Sequence, residues 1–219
     1  HRIPPLVVTP NMDETIGKAV KRVLEKANTN ANTITKIKIT GNAAMGTAMQ
    51  FNELANILPN LKEVDLSGFS GTLGAHSFYS CANLETVKLP TSIELPSFVF
   101  AQCKKLNTVY KVGKTKITGK VDLSGVTSVG NNAFQNTGIM NVELPEIFTV
   151  PQYCFKDCKK LRTIYKTGNF PIDGELDLSG IASFGIGAFG DAGSSIISVN
   201  LPANVTVSNL SLIHISEPT

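Results

Sequence analysis

Apolar and polar positions alternate in short bursts along most of this chain, and the bursts return at regular intervals. In residues 84–89, Val87 and Leu89 would point one way and Thr86 and Lys88 the other, the period-two pattern of a half-buried strand. The Leu or Ile that opens each burst recurs at Leu61, Leu84, Leu106, Ile139, Leu161 and Ile196, in steps of 23, 22, 33, 22 and 35 residues. A second marker, phenylalanine, keeps the same register at Phe78, Phe100, Phe134, Phe155 and Phe189. Short and long steps alternate, so the larger unit is 55 residues: Cys103 and Leu106 return as Cys158 and Leu161, and Ala133 with Phe134 as Ala188 with Phe189. One such copy is too short to bury a core, whereas stacked copies can share one.

The pattern therefore predicts a right-handed solenoid in which the strands form a parallel ladder, with Leu and Val on one side and the phenylalanines as a second spine. Pro90, Pro145 and Pro202 follow the strands, where a missing N–H helps to end the ladder. Ahead of the array, residues 1–10 carry three prolines and read as an extended entry segment. Helical spacing of Ile16, Val20, Val23, Leu24 and Ala27 predicts a helix over 14–27, with Asp13 as its N-cap. Residues 1–33 are thus the entry segment and capping helix, and 34–209 the solenoid. A second helix is expected over 47–58, with Met49, Phe51, Leu54, Ile57 and Leu58 as its apolar face. The 11 residues by which long steps exceed short ones fall near 111–120 and 166–175, each bracketed by glycine, and read as hairpins or loops projecting from one edge.

The repeat, read as Leu-x-x-Val-x-Leu-Pro, an apolar run, then Phe and Cys, resembles the BspA-type class of leucine-rich repeats. It is clearest over 84–103 and 139–158 and looser over 61–81. The resemblance spans about residues 34–207 and departs from the pattern where Thr137 and Ala192 stand in place of the cysteine. It implies an α/β leucine-rich-repeat solenoid with the strand ladder on the concave face, an irregular convex side and an N-terminal helical cap. It also implies a bacterial, Bacteroidetes-like cell-surface or extracellular protein that adheres to host or other extracellular proteins. Residues 210–219 resemble the in-frame translation of a sequencing-library adapter. The expectation is that they are an artefact, and that the chain is a fragment without its own signal peptide.

Composition adds exclusions. A net charge of +3 and the lack of a nucleic-acid motif argue against a nucleic-acid partner. No apolar run reaches the ~18–20 residues of a membrane span. Cys81, Cys103 and Cys158 share one repeat position and Cys154 lies four before Cys158; without a second pair or a histidine in register these read as buried thiols, with no metal or cofactor expected. His76 sits in no nucleophile motif, so no enzyme is expected. Asp65, Asp122 and Asp177 recur in an Asp-Leu-Ser-Gly setting that suggests turn capping. Ligand contact is expected instead from outward strand positions, with Lys88, Tyr110, Glu143, Tyr165 and Asn200 as candidates in a row on the concave face and the edge loops beside them. A glycan-binding accessory protein is the second reading, although only Tyr110 and Tyr165 offer aromatic platforms for it. A structural spacer within a larger surface protein is the third.

Overall fold

The structure, a computed structural model, describes residues 3–193 and 195–204. The expected artefact at 210–219 lies outside the described residues. In chain order the strands are β1 (Leu6–Val8), β2 (Lys36–Gly41), β3 (Glu63–Phe69), β4 (Thr86–Leu89), β5 (Ile93–Leu95), β6 (Thr108–Lys111) and β7 (Lys120–Asp122). They continue as β8 (Val126–Val129), β9 (Asn141–Leu144), β10 (Phe148–Val150), β11 (Thr163–Lys166), β12 (Glu175–Asp177), β13 (Ile181–Phe184) and β14 (Ser198–Asn200). Helix α1 (Ile16–Ala27) follows β1, and the short α2 (Glu53–Ile57) follows β2. Ten strands form one sheet in the order β1-β2-β3-β4-β6-β7-β9-β11-β12-β14. Every pairing in it is parallel, as stacked copies of one unit require. On the other side of each coil, two-stranded parallel pairs form between β5 and β8 and between β10 and β13.

Alternation decides which side chains go inward. Ile37 and Ile39 in β2, Val87 and Leu89 in β4, and Val142 and Leu144 in β9 are all buried, while the residues between them are only half-buried. Deeper in the coils, Phe78, Phe100, Phe134, Phe155 and Phe189 make a continuous spine with ring centroids 5.5, 5.7, 5.9 and 5.3 Å apart. All five rings are essentially inaccessible to solvent. Each buried side chain of this size contributes roughly 1.5–3 kcal/mol, and the spine joins every coil to its neighbour. The residues two before and two after the spine rings often take positive φ, as at Phe98 and Gln102, or Tyr153 and Asp157. The coil thus reverses direction on either side of the ring it buries.

The cysteine position follows the same stacking logic. All four cysteines are free and buried, and Cys103 Sγ donates to the Phe78 carbonyl at 3.0 Å while Cys158 Sγ donates to that of Phe134 at 3.0 Å. Thr137, in place of a cysteine, makes the equivalent bond within its own coil, donating to the Phe134 carbonyl at 2.9 Å. Burial pushes the Cys81 thiol up to about 12 and the Cys158 thiol up to about 11.

Two local expectations are corrected by the structure and two are made more specific. The N-cap of α1 is Thr15, whose hydroxyl accepts from the Lys18 N–H at 3.2 Å. Asp13 sits at φ +63 with its own N–H spent on the Ala44 carbonyl, so it cannot take the extended backbone of a cap. The helix expected over 47–58 shrinks to α2 because Met45 and Ala48 donate their N–H groups to Thr72 and Ala75 of the next coil. Met49 and Phe51, 82% and 55% exposed, are then left outside any helical face. The entry segment supplies the first rung of the ladder, because β1 pairs with β2. Finally, of the hairpins or loops expected near 111–120 and 166–175, the structure has loops and no hairpin. After turns at Gly113 and Gly119, both at positive φ, the chain re-enters the sheet parallel to the strand it left, with Val109 beside Val121. Ile164 beside Leu176 repeats this 55 residues later. The inserted residues therefore add an extra rung to the ladder on alternate coils.

Candidate binding face

The outward positions of the ladder line up by register. Lys38 lies beside Asp65, Asp65 beside Lys88, and Lys88 beside Tyr110. Farther along, Asp122 lies beside Glu143 and Glu143 beside Tyr165, and at the end Asp177 lies beside Asn200. All five candidate residues, Lys88, Tyr110, Glu143, Tyr165 and Asn200, fall in this one row. The sequence reading omitted Lys38, and it assigned Asp122 and Asp177 to turns alone. The alternation of Ile37 and Ile39 around Lys38 was the available signal for the first. The aspartates were hidden because the extra rungs that carry them were unrecognised.

Those aspartates do both jobs. Asp65, Asp122 and Asp177 each accept from the backbone N–H two residues on, at 2.9, 2.9 and 3.1 Å, closing the turn that ends the strand. Burial pushes the Asp65 carboxyl up, but the Ser67 hydrogen bonds and the nearby Lys88 and Lys38 outweigh it and hold it below its ordinary value. At Asp177 the same contest, with Ser179, Asn169 and Lys166 opposing burial, has the same result.

Electrostatic pairing continues across the row. Lys88 Nζ stands 5.9 Å from the Tyr110 ring centroid, within cation–π range. Burial raises the Tyr110 hydroxyl, and the charges of Asp65 and Glu63 add to it. Glu143 is the most engaged member: Lys120 Nζ reaches Oε1 at 3.3 Å, the Tyr165 hydroxyl donates to Oε1 at 3.2 Å, and the Thr167 hydroxyl donates to Oε2 at 3.1 Å. Burial opposes the charge on Lys120, yet Tyr165 and Glu143 keep its ammonium above the ordinary lysine value. Tyr165 is 9% exposed, so its ring braces Glu143 and offers little surface to a ligand.

Between the first edge loop and the ladder lies a cleft of about 320 Å³. Tyr110, Lys111, Lys120, Asp122 and Glu143 line it from the sheet; Lys114, Thr115 and Ile117 line it from the loop. The loop is held by the buried Thr108 hydroxyl, which accepts from the Gly119 N–H at 3.0 Å.

A second cluster escaped the sequence reading. His76 is stacked between Phe51, 3.9 Å away, and Phe98, 4.6 Å away, with Tyr79 edge-on to all three rings. Its Nδ1 is buried without a hydrogen-bond partner, and burial lowers its basicity. The clue was the recurrence of aromatics two before and one after the spine ring, as at Phe98 and Tyr79. Among the described residues no cluster of His, Cys, Asp and Glu could hold a metal, and no helix is long and apolar enough to cross a membrane.

Comparison with known proteins agrees with this architecture. A leucine-rich-repeat protein from Bacteroides ovatus superposes with a TM-score of 0.60 at 19% identity, covering 83% of this chain and 40% of that one. The chain therefore spans less than half the length of that relative. A second leucine-rich-repeat protein, from T. pallidum, aligns at 16% identity with a TM-score of 0.46, over 86% of this chain and 71% of that one. No curated protein matches. The profile of the BspA type leucine rich repeat region matches in six copies, over residues 13–120, 51–162 and 115–213. With register, spine and profile in agreement over nearly its whole length, the chain belongs to the BspA type leucine-rich-repeat family.

Proposed function

We propose that this chain is a non-enzymatic binding module of a bacterial cell surface, and that its ladder face adheres to extracellular protein partners. The observation that carries the reading is the single row in which lysine, acid and tyrosine alternate across adjacent rungs from Lys38 to Tyr110. Such a row presents charge of both signs and aromatic surface along an extended face, the kind that solenoids use for recognition. Family membership supports it, because leucine-rich-repeat domains commonly mediate protein interactions and surface location is typical of the BspA type. The candidates that bear directly on a partner are Lys88, Tyr110 and Asn200; Glu143 and Tyr165 act through the network that holds the first loop.

The test is capture of extracellular-matrix proteins by the immobilised chain, beside a Lys88→Ala/Tyr110→Ala variant of unchanged melting temperature. Loss of about tenfold in affinity, the size of a hot-spot truncation, is expected. Undiminished capture by that variant would show that the ladder face is not the binding surface.

A further inference from the structure

We propose that the cleft beneath the first edge loop takes an acidic saccharide, one carboxylate-bearing sugar ring of the uronic or sialic type. This rests on the ladder face being the ligand-facing side, and it concerns a ligand class separate from the protein partners above.

The argument starts from charge. Lys111 and Lys114 line the cleft and neither side-chain ammonium has an ion pair or hydrogen bond among the described residues, whereas Lys120 is shared with Glu143. Three lysines against Asp122 and Glu143 leave one positive charge in excess, which suits a ligand with one carboxylate per residue. The volume, about 320 Å³, lies at the small end of the range for ligand clefts.

Hydrogen-bonding capacity then separates two kinds of anion. Asp122 uses Oδ1 on the Ser124 N–H, and its Oδ2 has no partner among the described residues. An acidic peptide side chain would bring a second carboxylate to this group and no donor. A sugar acid brings hydroxyl donors for Asp122 together with the carboxylate for Lys111 and Lys114. Tyr110 and Ile117 add apolar surface to the cleft, Tyr110 from the sheet and Ile117 from the loop. Sugar rings carry apolar C–H faces as well as hydroxyls, so this mixture matches them better than it matches a simple ion.

The 55-residue repeat provides an internal control. At the corresponding positions of the second loop, Lys166 matches Lys111, but Asn169 replaces Lys114, Phe170 replaces Thr115 and Glu175 replaces Lys120. There Asp177 keeps the negative charge of Asp122, and Asp173 is already tied to Arg162. The same fold position thus carries no excess of positive charge.

The experiment is calorimetric titration of the full chain with trigalacturonic acid, sialyllactose, lactose and hexaglutamate at physiological salt. Binding of at least one acidic saccharide is expected, with lactose and hexaglutamate much weaker. Lys114→Gln should weaken it about tenfold, the effect of losing one charge-assisted hydrogen bond, and Lys166→Gln should leave it unchanged. Asp122→Asn, which keeps the oxygen that closes the turn, should weaken binding although it removes a negative charge. Strengthened binding in that variant would mean a bare charge site and overturn the proposal. So would equal binding of hexaglutamate or lactose, or no binding by either acidic saccharide. No protein partner enters this measurement, so saccharide binding can fail while capture of matrix proteins persists, and the reverse.

Discussion

Phe134 occupies the middle of the five-ring spine and touches a ring on either side, Phe100 at 5.7 Å and Phe155 at 5.9 Å. Replacing it with alanine removes a side chain that is 0% exposed. A Phe→Ala change in such a core costs about 3–5 kcal/mol, and the two ring contacts put this site at the upper end of that range. Phe78 is equally buried but, among the described residues, stacks within the spine only on Phe100, so Phe78→Ala should cost less by about one aromatic pair, about 0.5–1.5 kcal/mol. For a chain of 219 residues each kcal/mol is worth about 2–4 °C in melting temperature. Phe134→Ala should therefore lower Tm by about 8–20 °C. Because each coil touches only its neighbours, it should also broaden the urea transition as the two halves uncouple. The chain has no tryptophan, so far-UV circular dichroism is the suitable probe. Phe134→Leu, which keeps most of the volume and loses only the ring, should fall between the parent and Phe134→Ala. If Phe134→Ala shifts Tm by no more than Phe78→Ala, the spine does not couple the coils as argued.

Two further outcomes follow from the titratable groups. The Asp65 carboxyl lies below its ordinary value in the folded chain, so its contribution is complete above the unfolded value near pH 4 and is lost as pH falls through the folded one. Melting measured from pH 6 downward should fall less steeply in Asp65→Asn than in the parent, and parallel curves would contradict this. The four thiols should resist a disulfide reagent at pH 8 in the folded chain and all react in urea, since burial raises every one of them. Rapid labelling of any single cysteine in the native state would mean that its coil opens locally.

Much of this architecture was readable because the same physics is repeated. Strand alternation had to be obeyed at Leu61, Leu84 and Ile139 alike, and the spine phenylalanines kept the register independently. What stayed hidden depended on partners in other coils. The extra rungs at β7 and β12 each join the strand before them through one residue pair, too brief for a periodic signal. The helix expected over 47–58 had the right apolar spacing and lost to backbone bonds from the adjacent coil. Alternation placed Lys88, Tyr110, Glu143, Tyr165 and Asn200 in one row. It could not show that Tyr165 is nearly buried or that Lys120, on an extra rung that was not foreseen, would meet Glu143 on the next strand.

The extra rungs also bear on curvature. Between β4 and β12 each 55-residue period places three strands in the ladder but only two rings in the spine. A rung lengthens the ladder edge by about 4.8 Å, whereas the spine advances by ring steps of 5.7 and 5.9 Å across the same period. Every inserted rung therefore opens the arc compared with a solenoid that has one strand per coil. A ligand lying along this face meets a broad, shallow platform. Affinity would then come from many modest contacts spread along its length, and a partner with several copies of the same small epitope would be held far better than one with a single copy.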